Sequence, residues 1–223
     1  MLLLFDLDDT LIHSSLAYEE ALRSLGISSQ HPLFQRARRE VKASLPSGAP
    51  QARNRSLYFK RFLELDGGYS PIRHLEMLSK YEDSLMKNMK KQWLELKRDR
   101  LFAMLAQKHR LFIVTNEILR TQSLKLQMFD PHFKYFSGMI CSEEAGVEKP
   151  HLDIFRKALE RANGNVESTL MIGDSFEMDM APALELGLRA IQSLEFEGAS
   201  ESARRPEQSA ILKLRKLDQI FDV

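Results

Sequence analysis

Residues 2–10 read LLLFDLDDT, and the rest of the chain is organised around them. Leu2, Leu3, Leu4 and Phe5 form an uninterrupted apolar run whose length and bulk suit a strand buried on both faces of a parallel sheet. Asp6 and Asp8 follow at once, with Asp9 between Asp8 and Thr10. Side chains alternate along an extended chain, so Asp6 and Asp8 are expected to point the same way. Acids at the end of a buried strand make a negative pocket at the C-terminal edge of the sheet, where open α/β sheets bind ligands. Two carboxylates this close repel unless a cation lies between them or one of them holds a proton.

After Thr10 the periodicity becomes helical. An amphipathic segment carrying Leu16 and Leu22 ends near Gly26, and a polar helix covers His31–Ala43. Residues 44–54 contain Pro46, Gly48 and Pro50 and read as a loop. A helix over Ser56–Leu65 stops at Asp66-Gly67-Gly68. A long one then runs from Pro71, with Leu75, Leu78, Tyr81, Leu85, Met89 and Trp93 recurring every three or four residues. The methionines and Trp93 read as packing residues. No strand is expected between residues 14 and 94.

From Arg98 helix and strand alternate. Helices are expected over 101–107, 121–128, 152–161 and 180–186. Strands are expected over 111–114, 139–141, 170–172 and 188–191. This is the pattern of an α/β fold, a doubly wound parallel sheet with helices on both faces. The helical stretch then becomes an inserted α-helical domain, giving a core of residues 1–13 and 97–223 and an insert of 14–96. Glu195 to Gln208 reads as a loop. Ile211, Leu214, Leu217, Ile220 and Phe221 predict a closing amphipathic helix.

A chain of 223 residues buries roughly 70% of its unfolded surface and needs no disulfides. The single cysteine, Cys141, fits a reducing, cytoplasmic setting. The five-residue apolar run at the start is too short for a signal peptide or a membrane span. With 32 basic against 31 acidic residues, net charge points to neither a nucleic acid nor a membrane partner. Locally, Arg36, Arg38, Arg39, Lys42, Arg53, Arg55, Lys60 and Arg61 face only Glu40 and Glu64 between His31 and Leu65. Such a cluster attracts an anion or solvates the outside of helices.

In a parallel sheet all strand C-termini share one edge, so Asp6 with Asp8, Thr115 with Asn116, Lys149, and Asp174 with Asp179 converge. Asp6, Asp8 and Asp174 offer hard oxygen ligands of the sort that hold Mg²⁺ beside a phosphate. Thr115, the Asn116 backbone N–H and Lys149 offer donors and positive charge to phosphate oxygens. This is the equipment of phosphoryl transfer.

FDLDDTL, VTN, GVEKP and GDSFEMD, in that order, resemble the four motifs of the haloacid dehalogenase superfamily, and the resemblance spans almost the whole chain. It implies a Rossmann-like core and a mobile helical cap between the first two motifs. Asp6 resembles the nucleophile that becomes an aspartyl phosphate, and Asp8 the general acid/base. Thr115 and Lys149 resemble the groups that hold the phosphoryl oxygens. Asp174 resembles the acid completing an Mg²⁺ site with the Asp6 carboxylate and the Asp8 backbone carbonyl, and Asp179 an outer-sphere acid. Glu117 stands where the family commonly has Gly. The expected activity is an Mg²⁺-dependent phosphomonoester hydrolase acting, as monomer or homodimer, on a small phosphorylated metabolite (a sugar phosphate, a nucleoside monophosphate or phosphoglycolate). A sugar phosphomutase and a non-catalytic binding protein on the same fold are the alternatives. At least one of Arg53, Arg55, Lys60 and Arg61 is expected to face the core site from the cap; packing of Tyr58 and Phe59 inside the cap, with the cations outside, is the competing expectation.

Overall fold

The computed structural model describes residues 1–196 and 211–222. Six strands, β1 (Leu2–Phe5), β2 (Arg110–Thr115), β3 (Phe136–Cys141), β4 (Thr169–Gly173), β5 (Arg189–Ser193) and β6 (Leu212–Leu214), form one sheet in the order β3-β2-β1-β4-β5-β6. Every neighbouring pair is parallel. β1 lies between β2 and β4, so both its faces and both its edges are covered, which accounts for its unbroken apolar run. The strand order reverses across β1, and in such sheets the crevice at the reversal receives ligands.

Alternation along β1 divides the core. Leu3 and Phe5 pack with Phe102 of α5 (Arg98–Ala106) and with Leu126 and Phe129 of α6 (Leu119–Phe129). Leu2 and Leu4 pack with Ile154, Phe155 and Ala158 of α8 (Leu152–Arg161) and Ala183 of α9 (Ala181–Glu185). A short α7 (Ser142–Ala145) follows β3, and a π-helical turn, Phe176–Met180, leads into α9.

Between β1 and β2 the chain forms α1 (Ser14–Ser24), α2 (Pro32–Ala43), a 3₁₀ turn at Pro50–Arg53, α3 (Arg55–Leu65) and α4 (Pro71–Glu95). Asn54 caps α3 by accepting from the Ser56 N–H at 2.9 Å, and Ser70 caps α4 by accepting from the Arg73 N–H at 3.2 Å ahead of Pro71. Phe34, Tyr58, Phe59, Phe62 and Tyr81 are buried together inside this helical layer, so Tyr58 and Phe59 are packing residues. Leu75, placed by periodicity on the buried stripe of α4, is 62% exposed. The two chain crossings between insert and core are tied to each other: the His13 N–H donates to Gln92 Oε1 at 2.8 Å, and Gln92 Nε2 donates to the His13 carbonyl at 3.2 Å. Buried Arg98 adds a bond from Nε to the Leu11 carbonyl at 2.8 Å.

The carboxyl-terminal segment departs from expectation. Leu212–Leu214 is an edge strand paired to β5, and Leu217–Asp222 is a 3₁₀ helix. The three-residue spacing of Leu214, Leu217 and Ile220 suits a 3₁₀ turn as well as an α-helix, and a helix this short is marginal in isolation. The open edge of β5 offers backbone partners, as the bond from the Leu194 N–H to the Leu214 carbonyl at 2.8 Å shows. Most of the expected loop from Glu195 to Gln208 lies outside the described residues.

Trp93, the sole tryptophan, stacks on Phe129 with ring centroids 4.5 Å apart and on Phe102 at 5.4 Å, joining the last helix of the insert to the core. Phe102 also meets Phe5 at 5.5 Å and Phe136 at 5.0 Å and is wholly buried. Phe102→Ala is expected to cost about 3–5 kcal/mol in urea unfolding and to red-shift Trp93 emission in the native state. A loss below about 1 kcal/mol would show that this aromatic stack is not a principal support.

Candidate active site

β1, β2 and β4 deliver their polar ends to one crevice. Lys149, buried in the loop ahead of α8, donates from Nζ to Asp6 Oδ1 at 2.6 Å and to Asp179 Oδ1 at 2.6 Å. Thr10 Oγ1 lies 3.3 Å from Asp6 Oδ2 and 3.2 Å from Asp174 Oδ1. Carboxylate oxygens of Asp6, Asp174 and Asp179 all lie within 4.8 Å of one another. Gly173 makes room for this: the space a Cβ would take there is filled by the Asp179 carboxylate. The Ser175 N–H also donates to Asp179 Oδ2 at 3.2 Å. Asn116 acts through its side chain, accepting from the Lys149 N–H at 2.6 Å and donating to the Lys149 carbonyl at 2.9 Å, which fixes the loop carrying Lys149.

The charge states follow from these contacts. Burial pushes the Asp6 carboxyl well above its usual range. Lys149 opposes this, and Asp179, Asp174 and Asp8 add to it. Burial and then Asp179 raise Asp174 to about 6, against the pull of Lys149. Burial alone would lower Lys149, but Asp179 and Asp6 raise it above its ordinary value, so it stays charged.

Asp8 belongs to a second centre. β1 ends at Phe5, the Asp6 N–H still bonds the Ile172 carbonyl at 2.9 Å, and the chain turns only at Asp9, with φ +57°. Its carboxylate meets Lys125 of α6, with Nζ 2.6 Å from Oδ1 and 2.8 Å from Oδ2. Gln122 Nε2 donates to Asp8 Oδ2 at 3.0 Å and to Thr115 Oγ1 at 2.6 Å, linking the ends of β1 and β2. Lys125 also donates to Tyr18 Oη of α1 at 2.8 Å. Burial raises the Asp8 carboxyl, but the charge and hydrogen bonds of Lys125 outweigh it and hold the group at about 2.

Lys125, Gln122 and Tyr18 were not singled out in the sequence, although a signal existed. Gln122, Lys125, Leu126 and Phe129 follow i, i+3, i+4, i+7 on α6 and all are buried. Two polar residues on a buried stripe call for buried partners.

The insert closes over this edge through two ion pairs. Arg55 Nη1 lies 2.9 Å from Glu117 Oε2, and Arg53 Nε lies 2.7 Å from Glu148 Oε2. Glu117, in the place of the more common Gly, is buried and also accepts from the Ile118 N–H at 3.2 Å. Lys60 and Arg61 face elsewhere: Lys60 pairs with Glu64, and Arg61 with Glu40 at 2.6 Å and Glu64 at 3.1 Å, all within the insert.

A parallel sheet whose switch-point edge gathers three acids, a buried lysine and a threonine is built for hydrolytic or phosphoryl-transfer chemistry. The family model of haloacid dehalogenase-like hydrolases matches residues 1–187. The chain belongs to this family and is an enzyme of its phosphatase type. It is 30% identical over 236 aligned positions to a ribulose-1,5-bisphosphate 5-phosphatase of Halopiger xanaduensis, covering 99% of this chain and 97% of the relative. It is 29% identical to a glyceraldehyde 3-phosphate phosphatase of Methanocaldococcus jannaschii, covering 86% and 84%. Among solved structures, the HAD-hydrolase YfnB of Bacillus subtilis bound to magnesium superposes with a TM-score of 0.69 at 25% identity, covering 99% of this chain and 96% of that one. No helix among the described residues is long and apolar enough to cross a membrane.

Asp8, held at about 2 against an ordinary 3.8, contributes about 2 kcal/mol of stability that is complete above pH ~4 and lost as pH falls through 2. Lys125→Met strands that carboxylate, so the variant is expected to lose about 3 kcal/mol in urea at pH 7 and clearly less at pH 3. A loss independent of pH would assign the effect to packing and not to the ion pair.

Proposed function

We propose that the chain is an Mg²⁺-dependent phosphomonoester hydrolase that works through an aspartyl phosphate on Asp6 and acts on a small phosphorylated metabolite. The observation that carries this reading is the cluster of Asp6, Asp174 and Asp179 around Lys149, next to Thr115. Three carboxylates against one ammonium leave an excess of negative charge, and an all-oxygen donor set of that kind suits Mg²⁺. Asp6 and Asp174 would hold the ion with the Asp8 backbone carbonyl. Asp179, already bonded to Lys149 and the Ser175 N–H, supports from behind. The metal supplies charge neutralisation between carboxylates and phosphate.

Asp6 Oδ attacks phosphorus, the P–O bond to the substrate alcohol breaks, and the departing oxygen takes a proton from Asp8, which Lys125 holds ionised in the free enzyme and which therefore gains that proton from solvent as substrate binds. Thr115 and Lys149 hold the phosphoryl oxygens, with the Asn116 backbone N–H beside them. In the second half Asp8 accepts a proton from water, whose oxygen attacks phosphorus and frees Asp6. The ionised form held by Lys125 and Gln122 suits that step. The reading divides the chain into a catalytic core of residues 1–13 and 97–223 and a cap of 14–96, which excludes bulk water when closed. The named relatives point to phosphorylated sugars of three to five carbons as the first substrates to try.

The test is release of inorganic phosphate from p-nitrophenyl phosphate. Asp6→Asn is expected to lower kcat by several orders of magnitude while leaving the unfolding curve cooperative. Excess EDTA should abolish turnover, and Ca²⁺ should fail to replace Mg²⁺. Near-normal turnover of Asp6→Asn would refute the covalent route, and turnover persisting in EDTA would refute the metal.

Asp174 titrates near 6, so protons compete with the cation below that pH. Mg²⁺ affinity, followed by calorimetry, is expected to be level above pH 7 and to fall by about tenfold per unit below pH 6. A flat profile down to pH 5 would remove Asp174 from the metal site.

A further inference from the structure

The helical insert and the core line an open chamber of about 390 Å³ whose wall includes Asp8 and Asn116 on the core side and Arg38, Lys42, Tyr58 and Tyr81 on the insert side. Arg38 and Lys42 are four apart on α2 and share a face. Of the neighbouring cations, Arg53 is paired with Glu148, Arg55 with Glu117, and Arg36 and Arg61 both with Glu40, while Arg39 does not line the chamber. Arg38 and Lys42 have no carboxylate within ion-pair distance among the described residues. Arg38 only lies over the Tyr58 ring, 5.8 Å from its centroid. The acids of the chamber are already engaged, Asp8 by Lys125, Glu117 by Arg55, Glu19 by Arg23 at 3.8 Å, and Asp9 by the Ser15 N–H at 2.9 Å and the Ser15 hydroxyl at 2.5 Å. Partial shielding from water lowers the Lys42 ammonium from its usual value although the residue is exposed, and Arg38, Arg53 and Arg55 lower it further; Glu148 pulls the other way. Like charges are therefore crowded on the wall that faces the reaction crevice, an arrangement that an anion would relieve.

We infer that Arg38 and Lys42 form a second anion subsite, selecting phosphomonoesters that carry another phosphate or a carboxylate beyond the phosphoryl group that is removed. The inference rests on the phosphatase reading for what fills the first subsite. A chamber of this size is in the range of small-ligand pockets. The phosphoryl group would sit at the core end, and the far anion would meet the Arg38 guanidinium and Lys42 ammonium, with Tyr58 and Tyr81 flanking the carbon chain between them.

The experiment compares two matched pairs: fructose 1,6-bisphosphate with fructose 6-phosphate, and 3-phosphoglycerate with glyceraldehyde 3-phosphate. The first pair tests a second phosphate and the second a carboxylate. The wild type is expected to favour the substrate with the extra anion in at least one pair by tenfold or more in kcat/KM, chiefly through KM. Lys42→Glu and Arg38→Gln should each collapse that ratio at least fivefold, and Lys42→Arg should restore it. Lys42 is exposed, so its replacement leaves the fold intact. No preference in either pair, or equal losses on both members, overturns the subsite. Binding is measured in parallel by calorimetry on Asp6→Asn with the same four compounds. If no phosphate is released from any substrate, the phosphatase reading falls, while the binding preference and its loss in Lys42→Glu still decide the subsite.

Discussion

The contact on which the site depends is the Lys149 ammonium lying 2.6 Å from both Asp6 and Asp179. Burying a carboxylate without a partner is costly, and here three are gathered at one strand edge. One cation does not neutralise them, and the surplus appears as the raised Asp6 and Asp174. Much of the local structure serves this balance. Asn116 clamps the backbone of Lys149, Gly173 yields space to Asp179, and Gln192 Nε2 donates to the Asp174 carbonyl at 2.8 Å. The fold thus holds a negative site open at the point where the strand order reverses.

Two carboxylates only two residues apart end in opposite states. Asp6 shares its surroundings with other acids and rises, whereas Asp8 has a lysine to itself and falls to about 2. Environments that drive neighbouring acids apart in this way allow one segment to supply groups with different tasks. The division arises because Lys149 is shared between Asp6 and Asp179 whereas Lys125 of α6 pairs with Asp8.

The sheet was legible because its strands are apolar on both faces and each ends in polar residues, and the inserted helices because their periodicity is unbroken by β-branched runs. Asp6, Thr115 and Asp174 were legible because ordered motifs placed them at strand ends, and Lys149 because its motif placed it in a loop at the same edge. Lys125 was not. A lone lysine on an amphipathic helix reads as solvated, and only its place on the stripe with Leu126 and Phe129 marks it as buried. The last strand was lost for a related reason: three-residue spacing of apolar groups does not distinguish an α-helix from a strand followed by a 3₁₀ turn. The decisive factor, the vacant edge of β5, is a tertiary one.

The basic run of the insert shows how pairing gives meaning to charge. Eight cations against two acids in sequence suggest a uniform positive surface, yet the fold sorts them. Lys60 and Arg61 are neutralised within the insert, Arg36 shares Glu40 with Arg61, Arg53 and Arg55 are spent on acids of the core loops, Arg39 lies off the chamber wall, and Arg38 and Lys42 remain on that wall without a carboxylate among the described residues. The pairs to Glu117 and Glu148 also couple the insert to the core, because Glu117 lies just after Thr115 at the end of β2 and Glu148 just before Lys149 in its loop. An anion bound at the wall would act on the same elements that position the phosphoryl group. In the function proposed, closure of the cap and recognition of the far end of a substrate would be one electrostatic event, set by the cations that the core acids leave unclaimed.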